Sequence, residues 1–493
     1  MSQVRPVVSA RGGPQQEYSL NAVTLAICLL FMIFMTGGIT RLLTGGTSDD
    51  EALEATEGFV MVRLTAAFLY TSVFVLAATH WRRVRPALSA SSVIWIPVLL
   101  AVISIGWSYL PELTLKRAVP LVGTTMGGVV VASLLGPRRF SVYLAYILAV
   151  VVGISALTAI LIPDFGKHTS TSGLTWSALH AGRWRGLYWH KNGLGPVSSI
   201  TFAYWYLMRP VMKLNTLVYI GVLVIAVVTT AFAASAQGIA QLALPFAVQI
   251  FLTDSYRPFR TITVVFLLAS AVLLSIFFNE FAALMGAILN RDVQFSGRMD
   301  IWNIILSYQS IDPVVGGGYG AGFEGGLADA LQSSLFQRLV NAHNGFLQQY
   351  VDLGWAGVIT LLLVVASYIR YLVQNTNSQA PEFRLALYFM AQYLSTNMLD
   401  NYALRGQEIY WFLMAAFLTY LASGALKPVD ALSAEGGATR TDRRRRRPAH
   451  AIPVTDPGLR RRLYANSSGR GASERGDPFA GSGVRSNPSE TPS

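Results

Sequence analysis

The sequence predicts an all-α, polytopic membrane protein of about 12 transmembrane helices with two long loops on one face. Three observations carry this prediction. Hydrophobic residues make up 53% of the 493-residue chain and charged residues only 13%, far below the charged content of soluble domains. The mean hydropathy is +0.44. The charges are also segregated, so that long apolar runs contain almost none.

The apolar runs are the predicted spans, and most approach the length of about 20 residues that crosses about 30 Å of hydrocarbon. In chain order they are 20–39, 59–79, 93–107, 118–135, 141–162, 194–208, 216–234, 239–252, 261–281, 346–369, 385–398 and 409–421. Four of them are short for a full span and are expected to be tilted, broken or misassigned. These four are 93–107, 194–208, 239–252 and 385–398.

The short loops between these runs predict the orientation. With a cytoplasmic N-terminus, most loop arginines and lysines fall on the inside, as the positive-inside rule requires. The acidic residues of 49–57 fall on the outside. Both termini are therefore expected on the cytoplasmic side of the membrane, which is expected to be a bacterial inner membrane. The loops 163–193 and 282–345 are exceptions, because each is long, faces outward and carries several positive charges; positive charge on that side goes against the rule and indicates function.

The ends of the chain have a different composition. Residues 1–18 are expected to form a disordered cytoplasmic arm, 19–426 the transmembrane catalytic domain, and 427–493 a disordered cytoplasmic tail rich in arginine. Five consecutive arginines stand at 443–447. The formal charge of +12 would suggest nucleic acid in a soluble protein, but here it is expected to set topology and to contact anionic membrane lipid. The single cysteine, Cys28, excludes a disulfide framework.

The first long loop ends in the stretch 183–193, in which three aromatic residues alternate with cationic ones. Such a stretch is typical of a membrane-interface belt, where Trp and Tyr lie at headgroup level and Arg and Lys extend to the water. It is equally typical of an anion site, because Arg offers a bidentate fork to phosphate and aromatic rings stack on sugars. The stretch alone leaves both interpretations open.

The second long loop ends at His343, which precedes a long apolar run. It is the only histidine of the second half outside the tail, and imidazole suits proton transfer near neutral pH. A polar anchor at the interface is the alternative for a His–Asn pair. Residues 298–306 are predicted to form a helix within this loop.

Two further classes of site are excluded by the sequence. Gly320, Gly322 and Gly325 match the spacing of a dinucleotide fingerprint, but no strand precedes them and they face outward. We expect them instead to permit a tight turn or a close approach. The chain offers no carboxylate pair at a membrane edge and no metal-binding His pair, so neither a metal nor a cofactor is predicted.

The motifs in their order resemble the O-antigen ligase and polymerase superfamily. Trp-Arg-Gly and His-Lys-Asn stand in the first long loop, and Gly-Arg-x-x-x-Trp, Gly-x-Gly-x-Gly and His-Asn-x-x-Leu in the second. The sequence of the first loop is most similar to that of the ExoQ-type exopolysaccharide polymerase branch. The resemblance covers about residues 90–420 and implies a membrane-embedded glycosyltransferase of the GT-C type.

The resemblance implies both substrates and partners. The donor would be an oligosaccharide linked to undecaprenyl diphosphate, and the acceptor a sugar hydroxyl of a growing glycan or of lipid A core. Transfer would occur on the periplasmic face without a metal, because arginine can stabilise the leaving diphosphate. Membrane lipids are further partners, a chain-length regulator is a candidate one, and nucleic acid is not expected.

The resemblance also implies roles for particular residues. His343 would be the base that takes the acceptor proton, and Arg185 the cation that holds the diphosphate. The expected substrate-binding residues around them are Arg183, His190, Lys191, Asn192, Arg298 and Asn344. One departure concerns Gln237, which stands where many members carry a basic residue after the seventh span.

Three functions remain open at this point. The first is polymerisation of exopolysaccharide or O-antigen repeat units, which the Lys191-Asn192 wording favours. The second is ligation of finished glycan to lipid A core by the same kind of site. The third is a twelve-span secondary transporter, which would carry ionisable residues in mid-span and internal repeats. The spans are nearly free of charge and show no convincing repeat, so the transferase is preferred.

Overall fold

The protein is described from a computed structural model. The residues that the structure describes are 7–8, 14–15, 20–44, 56–169, 180–252, 262, 298–335, 339, 341–375 and 380–426. They belong to one unit, Met1–Gly436. The predicted span 261–281, apart from residue 262, lies outside the described residues. So do residues 282–297 of the second loop and the predicted tail 427–493.

The described part of the chain is helical almost throughout, which confirms the all-α prediction. The helices are α1 Ala22–Met35, α2 Gly38–Thr44, α3 Thr56–Thr79, α4 Trp81–Ala90, α5 Trp95–Ile103, α6 Pro111–Leu161, α7 Pro163–Gly166, α8 Lys191–Met208, α9 Thr216–Ala233, α10 Ala236–Gln241, α11 Leu244–Phe251, α12 Arg298–Ser307, α13 Leu327–Leu335, α14 Gly345–Gln374, α15 Pro381–Leu399 and α16 Ile409–Ala422. Short 3₁₀ turns, Ser92–Ile94 and Ser104–Gly106, flank α5.

Two strands, β1 Val7–Val8 and β2 Pro14–Gln15, pair antiparallel within the segment that the sequence predicts as a disordered arm. Of residues 1–18 the structure describes only these four, so the disordered arm stays a prediction. Consecutive valines favour extended backbone. A pairing of two residues is too short to be stable alone, so this ladder adds no sheet layer to the helical fold.

Several helices are suited to crossing a membrane. Among the described residues, four are long and apolar enough, or up to six if each of two bent helix pairs counts as one span. The four are Val60–Thr79 within α3, and α6, α9 and α14. The protein is therefore a multi-pass membrane protein, while the count of about 12 spans stays a prediction.

The first predicted span, 20–39, is not one straight helix. Helix α1 ends at Met35, and α2 leaves it at an angle of 83°. Gly37, with φ 77°, provides the left-handed backbone at the bend. The 14 residues of α1 rise only about 21 Å, less than the hydrocarbon thickness, so α1 alone is too short for a perpendicular crossing.

Two of the short predicted spans are broken as well. The run 93–107 consists of α5 between its two 3₁₀ turns, and together they form the second bent pair with α4, at 72°. The run 239–252 divides into α10 and α11. A proline within the first turn of α11 begins a new helix there. The other two short runs, 194–208 and 385–398, lie within the unbroken helices α8 and α15.

Glycines also divide the two longest helices. In α6, which has 51 residues, Gly136 has φ 72° and ψ 164° and separates 111–135 from 137–161. This break lies between the two predicted spans 118–135 and 141–162. In α14, Gly354 has φ 60° and ψ −160° and separates a short segment, 345–353, from 355–374. The second segment is about 30 Å long, which matches the membrane.

Helix α16 lies at the centre of the helical core. Residues 409–421 are all buried, and a helix that is apolar on every side belongs inside a bundle. It packs against α6 where Gly128 leaves no room for a side chain, since a Cβ there would lie 2.5 Å from the Cβ of Ala415. The Trp411 indole donates to the hydroxyl of Thr125, 2.8 Å away, and fixes the register of the two helices.

A glycine-rich turn of the second loop, 316–322, is wedged between helix ends. Gly316, Gly318 and Gly320 have positive φ, and a Cβ on Gly316 would lie 2.5 Å from the backbone of Asp352. The amide of Gly318 donates to the carbonyl of Asp352, 2.8 Å away. The expectation of a tight turn is thus confirmed. The close approach seen here is to the backbone of Asp352, and a close approach to a ligand stays a prediction. The turn fixes the loop to the start of α14, directly after His343.

The predicted topology leads to a first test. Reporter fusions after Gly173 and Gly325 are expected to be active only as periplasmic reporters, because the short-loop arginines hold the opposite side in the cytoplasm. A fusion after Arg139, in the short basic loop at the α6 break, is the matched control and should be active only as a cytoplasmic reporter. Alkaline phosphatase and fluorescent-protein fusions measure this directly. Cytoplasmic activity at Gly173 or Gly325 would contradict the topology.

Candidate functional site

His343 stands in an unusual backbone conformation. Its φ of 46° lies in the left-handed region, which histidine tolerates better than most side chains but which still costs energy. Its backbone amide donates to the side-chain oxygen of Asn341, 3.0 Å away, and the indole of Trp302 in α12 donates to the carbonyl of Ala342 at 2.9 Å. These contacts fix the direction in which the imidazole leaves the chain.

Asn344 begins the next helix. Its side-chain oxygen accepts the amides of Phe346 and Leu347 at 2.9 and 3.0 Å, which is an N-cap of α14. Its amide nitrogen lies 3.4 Å from the carbonyl of Met398 and donates to it. Asn344 therefore joins α14 to the end of α15 and positions His343. Contact between Asn344 and substrate stays a prediction.

Asp400 is the carboxylate beside His343, and the sequence analysis missed it. Its Oδ1 lies 3.8 Å from Nδ1 of His343, and the two side chains are 18% and 32% exposed. Nδ1 is buried and forms no hydrogen bond to any described residue, so Asp400 is its nearest polar partner. The sequence feature that could have identified Asp400 is its position, two residues beyond the predicted span 385–398 and on the same predicted face of the membrane as His343.

Electrostatics favour the neutral form of His343. Burial lowers its pKa, the Asp400 carboxylate opposes that shift, and the nearby Arg298 guanidinium lowers the pKa further. Arg298 begins α12, as predicted for residues 298–306. Its own pKa is lowered by burial and raised by Asp400. His343, Arg298 and Asp400 thus form one interacting group with an imidazole able to accept a proton.

The first long loop is held against the ends of α7 and α9. Lys167 and Trp184 form an isolated antiparallel bridge, and the amide of Trp184 donates to the carbonyl of Phe232 at 3.0 Å. The two aromatic rings stack with centroids 4.8 Å apart. Nη1 of Arg183 lies 3.3 Å from Nδ1 of His180. The loop is thus an ordered edge of the helical bundle over residues 180–190.

Lys191 and Asn192 form the first turn of α8, and His190 is its N-cap. Lys191 is 7% exposed. Its ammonium lies 3.3 Å from both the side-chain oxygen of Asn192 and the carbonyl of Ala234. The amide of Asn192 donates to Nδ1 of His190 at 3.2 Å. These three predicted binding residues therefore form one hydrogen-bonded cluster at the start of a helix.

The cations of the two loops lie close together. Lys191 has its pKa lowered to about 8, first by burial and then by the positive charges of Arg183 and Arg298. Arg298 also acts on His343. The Arg298 charge on α12 thus lowers the pKa of both Lys191, at the start of α8, and His343, before α14. The structure brings the predicted residues Arg183, Lys191, Arg298 and His343 into one electropositive neighbourhood.

Arg185 has a different environment. It is 1% exposed, and its guanidinium donates to the carbonyls of Phe165 and Asp164 at 3.2 and 3.4 Å. Its backbone amide donates to the carbonyl of Gly166 at 2.9 Å. These contacts join Arg185 to the backbone of α7. A contact between Arg185 and diphosphate stays a prediction.

Arg41 is a second buried arginine, which the sequence assigned only to a short outside loop. It is fully buried, and its guanidinium donates to the carbonyls of Gly186 and Tyr188 at 2.9 and 3.0 Å. It also lies over the ring of Phe165, 4.0 Å from the centroid. Arg41 of α2 donates to the turn 185–188, and Arg185 joins the first residue of that turn to α7.

Gln237, which departs from the family pattern, lies at the edge of the same region. It is in the first turn of α10, where Ser235 is the N-cap. Its side chain is 9% exposed, and Nε2 forms no hydrogen bond to any described residue. Gly195 and Gly238 bring α8 and α10 into close contact here. A neutral amide donor thus stands where other members place a charge.

No group of three or more His, Cys, Asp or Glu residues in the described ranges is arranged to hold a metal ion. The residues that come together are instead arginines, a lysine, a histidine and one carboxylate. Such a set can bind an anionic leaving group and can move a proton between a hydroxyl and an imidazole. The arrangement is suited to transfer of a group from a phosphate ester or diphosphate to a hydroxyl.

Comparison with known proteins agrees with this chemistry. The family model described as O-antigen ligase (Wzy_C) matches residues 221–362. The matched region begins in α9 and ends in α14, and it includes Gln237, Arg298 and His343. No curated protein matches the chain. Over residues 221–362 this multi-pass membrane protein is thus similar to the O-antigen ligase and polymerase superfamily, whose members are enzymes of glycan assembly.

Proposed function

We propose that the protein is a metal-independent glycosyltransferase of the periplasmic face of the bacterial inner membrane. It transfers glycan from an undecaprenyl-diphosphate carrier to an acceptor sugar hydroxyl and so polymerises exopolysaccharide or O-antigen repeat units. The observation that carries the proposal is that the Arg298 charge acts both on His343, whose burial favours the neutral imidazole, and on Lys191 of the first long loop. The family match supports the same class of reaction.

The base is His343. With Nδ1 buried toward Asp400, Nε2 is the ring nitrogen left for the acceptor. We assign it the proton of the acceptor hydroxyl, whose oxygen then bonds to the anomeric carbon as the bond from that carbon to the diphosphate breaks. Asp400 stabilises the imidazolium that forms, since its charge favours the protonated ring. Such a base typically contributes about 10²–10⁴ in rate.

The leaving group carries away the electrons of the broken bond as a lipid diphosphate. Arg298 supplies positive charge beside His343, and Lys191 with Arg183 extends this charge into the first loop, without any ion from solution. Arg183 and Arg298 can each offer a bidentate fork to phosphate oxygens. His190, Asn192 and Gln237 offer neutral hydrogen-bonding groups beside them. Preorganised donors of this kind stabilise developing charge most where water is excluded.

Polymerase and ligase differ in the acceptor and not in this site. The sequence favours the polymerase through Lys191 and Asn192, whereas the matched family model carries the description of a ligase. The deciding experiment reconstitutes the full-length protein in liposomes with undecaprenyl-diphosphate-linked repeat units. Lipid-linked oligomers formed from donor alone would support polymerisation. Product that forms only after lipid A core is added would identify a ligase, and absence of both would overturn the proposal.

Chelation provides the second test of this proposal. Transfer is expected to continue at the same rate in excess EDTA, because the charge on the leaving diphosphate is neutralised by guanidinium and ammonium groups. The measurement is the initial rate of product formation in reconstituted liposomes, with and without EDTA. A magnesium-dependent glycosyltransferase run in parallel confirms that the chelator is effective. Loss of transfer that Mg²⁺ or Mn²⁺ restores would reveal a metal requirement.

A further inference from the structure

Three of the six histidines in the chain meet in the first long loop. Ring centroids lie 5.8 Å apart for His168 and His180, 5.1 Å for His168 and His190, and 5.2 Å for His180 and His190. His168, which is 3% exposed, follows α7, and His190 directly precedes α8. The family resemblance assigns no role to His168 or His180. We refer to His168, His180 and His190 as the histidine cluster.

Hydrogen bonds show which form of imidazole the histidine cluster requires. The amide of Lys191 donates to Nε2 of His168, and the amide of Asn192 donates to Nδ1 of His190, both at 3.2 Å. A backbone N–H can only donate, so each of these ring nitrogens carries a lone pair and each ring is neutral. Arg183 can also only donate, so Nδ1 of His180, 3.3 Å away, is an acceptor as well.

These bonds stabilise the start of α8. The first amides of a helix have no acceptor within the helix, and Ser, Asn or Asp usually supplies one. Here two imidazoles serve that purpose, for the amides of Lys191 and Asn192. A protonated imidazole cannot accept a hydrogen bond, and its positive charge at a helix N-terminus is opposed by the helix dipole. Protonation of either imidazole would therefore break its hydrogen bond to the helix and place a positive charge against the positive end of the helix dipole.

The surroundings of the histidine cluster are mainly cationic. Among the described residues, the charged groups on the cluster's own loop and on the elements around it are two carboxylates and six cations. They are Asp164 of α7, Glu408 beside Tyr188, Arg41 of α2, Lys167, Arg183 and Arg185 of the loop, Lys191 of α8 and Arg298 of α12. The residues of 232–234 that pack beside the loop carry no charge. A proton added to the cluster would thus meet a predominantly positive field.

We propose that His168 is a positioning residue that holds the start of α8, and with it Lys191, only while its imidazole is neutral. Acidification of the outer face then releases the first turn of α8 and weakens donor binding. The inference rests on the proposed function for its effect on the donor, but the capping itself does not.

The first test measures the cap itself. Full-length protein in lipid nanodiscs is examined by hydrogen–deuterium exchange with residue-level fragmentation at pH 7.5 and 5.5, corrected for the intrinsic effect of pH. We expect the protection factor of the Lys191 amide to fall about tenfold at the lower pH, the factor for one lost hydrogen bond. A protection factor that does not change in the unmodified protein would overturn the inference without any variant.

Variants assign the effect to His168. His168→Gln offers an amide oxygen that can accept the same hydrogen bond but does not titrate, so the Lys191 amide should keep its protection at both pH values. In that variant the Asn192 amide, which His190 caps, should still respond. His168→Leu should leave the Lys191 amide unprotected at both pH values. His80→Gln, at the junction of α3 and α4, is the matched control and should respond as the unmodified protein does.

Kinetics connect the cap to the donor. In liposomes with the undecaprenyl-diphosphate-linked repeat unit, the KM for donor should rise about tenfold from pH 7.5 to 5.5, and His168→Gln should show no such rise beyond that of other titrating groups. A pH-sensitive cap in a protein that transfers no glycan would mean that the proposed function is wrong and the cap stands. If the protein transfers glycan but the Lys191 amide has the same protection factor at both pH values, the proposed function stands and the pH-sensitive cap is wrong. A His168→Gln variant with the full pH response would overturn the assignment to His168.

Discussion

His343→Ala should abolish glycan transfer while lipid-linked donor accumulates in the membrane. Burial favours the neutral form of this imidazole, which can then take a proton, and losing such a base costs a factor of about 10²–10⁴ in rate. The measurement is polymer length together with donor level in cells that contain each variant at the normal membrane concentration. Polymer of normal length from His343→Ala would end the catalytic assignment.

His343→Asn is the better matched variant. The φ of 46° at this position is strained for alanine, whereas asparagine tolerates left-handed backbone. Asparagine is not a base, so transfer should fail as completely as with alanine, and the melting temperature should stay closer to that of the unmodified protein. An active His343→Asn variant would indicate that the side chain is an interfacial anchor.

Asp400→Asn tests the carboxylate beside the base. Because the Asp400 charge raises the pKa of His343, its removal should lower that pKa further and weaken the base. We expect a partial loss of rate, smaller than that of His343→Asn, with the acidic limb of the pH–rate profile displaced to lower pH. A profile that does not move would show that the 3.8 Å separation does not shorten during the reaction.

Arg185→Lys is expected to be the second most damaging change, with most transfer lost. One ammonium cannot reproduce the fork of a guanidinium, whether its partner is a diphosphate or the carbonyls of Phe165 and Asp164. Arg298→Lys should be milder, because Arg298 acts in the structure mainly through its charge, which lysine retains. Initial transfer rates of the two variants, at equal protein level in liposomes, measure the difference.

Stability separates the two possible causes at Arg185. If the guanidinium mainly holds the loop, Arg185→Lys should lower the free energy of unfolding by about 2–3 kcal/mol, the cost of unmade hydrogen bonds to a charged group. If it mainly holds the donor, the melting temperature should stay the same while the KM for donor rises. Arg41→Lys is the structural control, since Arg41 donates to the same turn. Normal transfer and stability in Arg185→Lys would contradict both roles.

The helices could be predicted from hydropathy, and the short runs 93–107 and 239–252 were expected to be tilted, broken or misassigned, but the breaks at Gly37 and Gly354 could not be predicted. A window over 20–39 averages across Gly37, and one over 346–369 averages across Gly354, where the backbone leaves the helical region. A glycine in an apolar run can continue a helix or end it, and the choice depends on what packs against it. At Gly354 a Cβ would lie 2.3 Å from the backbone of Val314, a contact distant in sequence.

The candidate site was predictable in its residue types and less so in its partners. Positive charge against the topology rule identified the two long loops, and the family resemblance singled out His343 and Arg185. The proximity of Asp400 to His343 depends on how α14 and α15 pack, and no local pattern encodes it. The buried contacts of Arg41 with Gly186 and Tyr188 are of the same kind, since they join residues 145 and 147 positions apart.

The pairing of His343 with Asp400 has a consequence for the order in which the protein matures. His343 directly precedes α14, and Asp400 directly follows α15. A nascent chain that has inserted α14 therefore holds the imidazole but lacks its carboxylate neighbour until α15 has also been inserted and its end released. The first loop, which carries Arg183 and Lys191, is synthesised much earlier. During biosynthesis, then, the cations are in place well before the base acquires its partner, and the last helices inserted complete the proton-transfer pair.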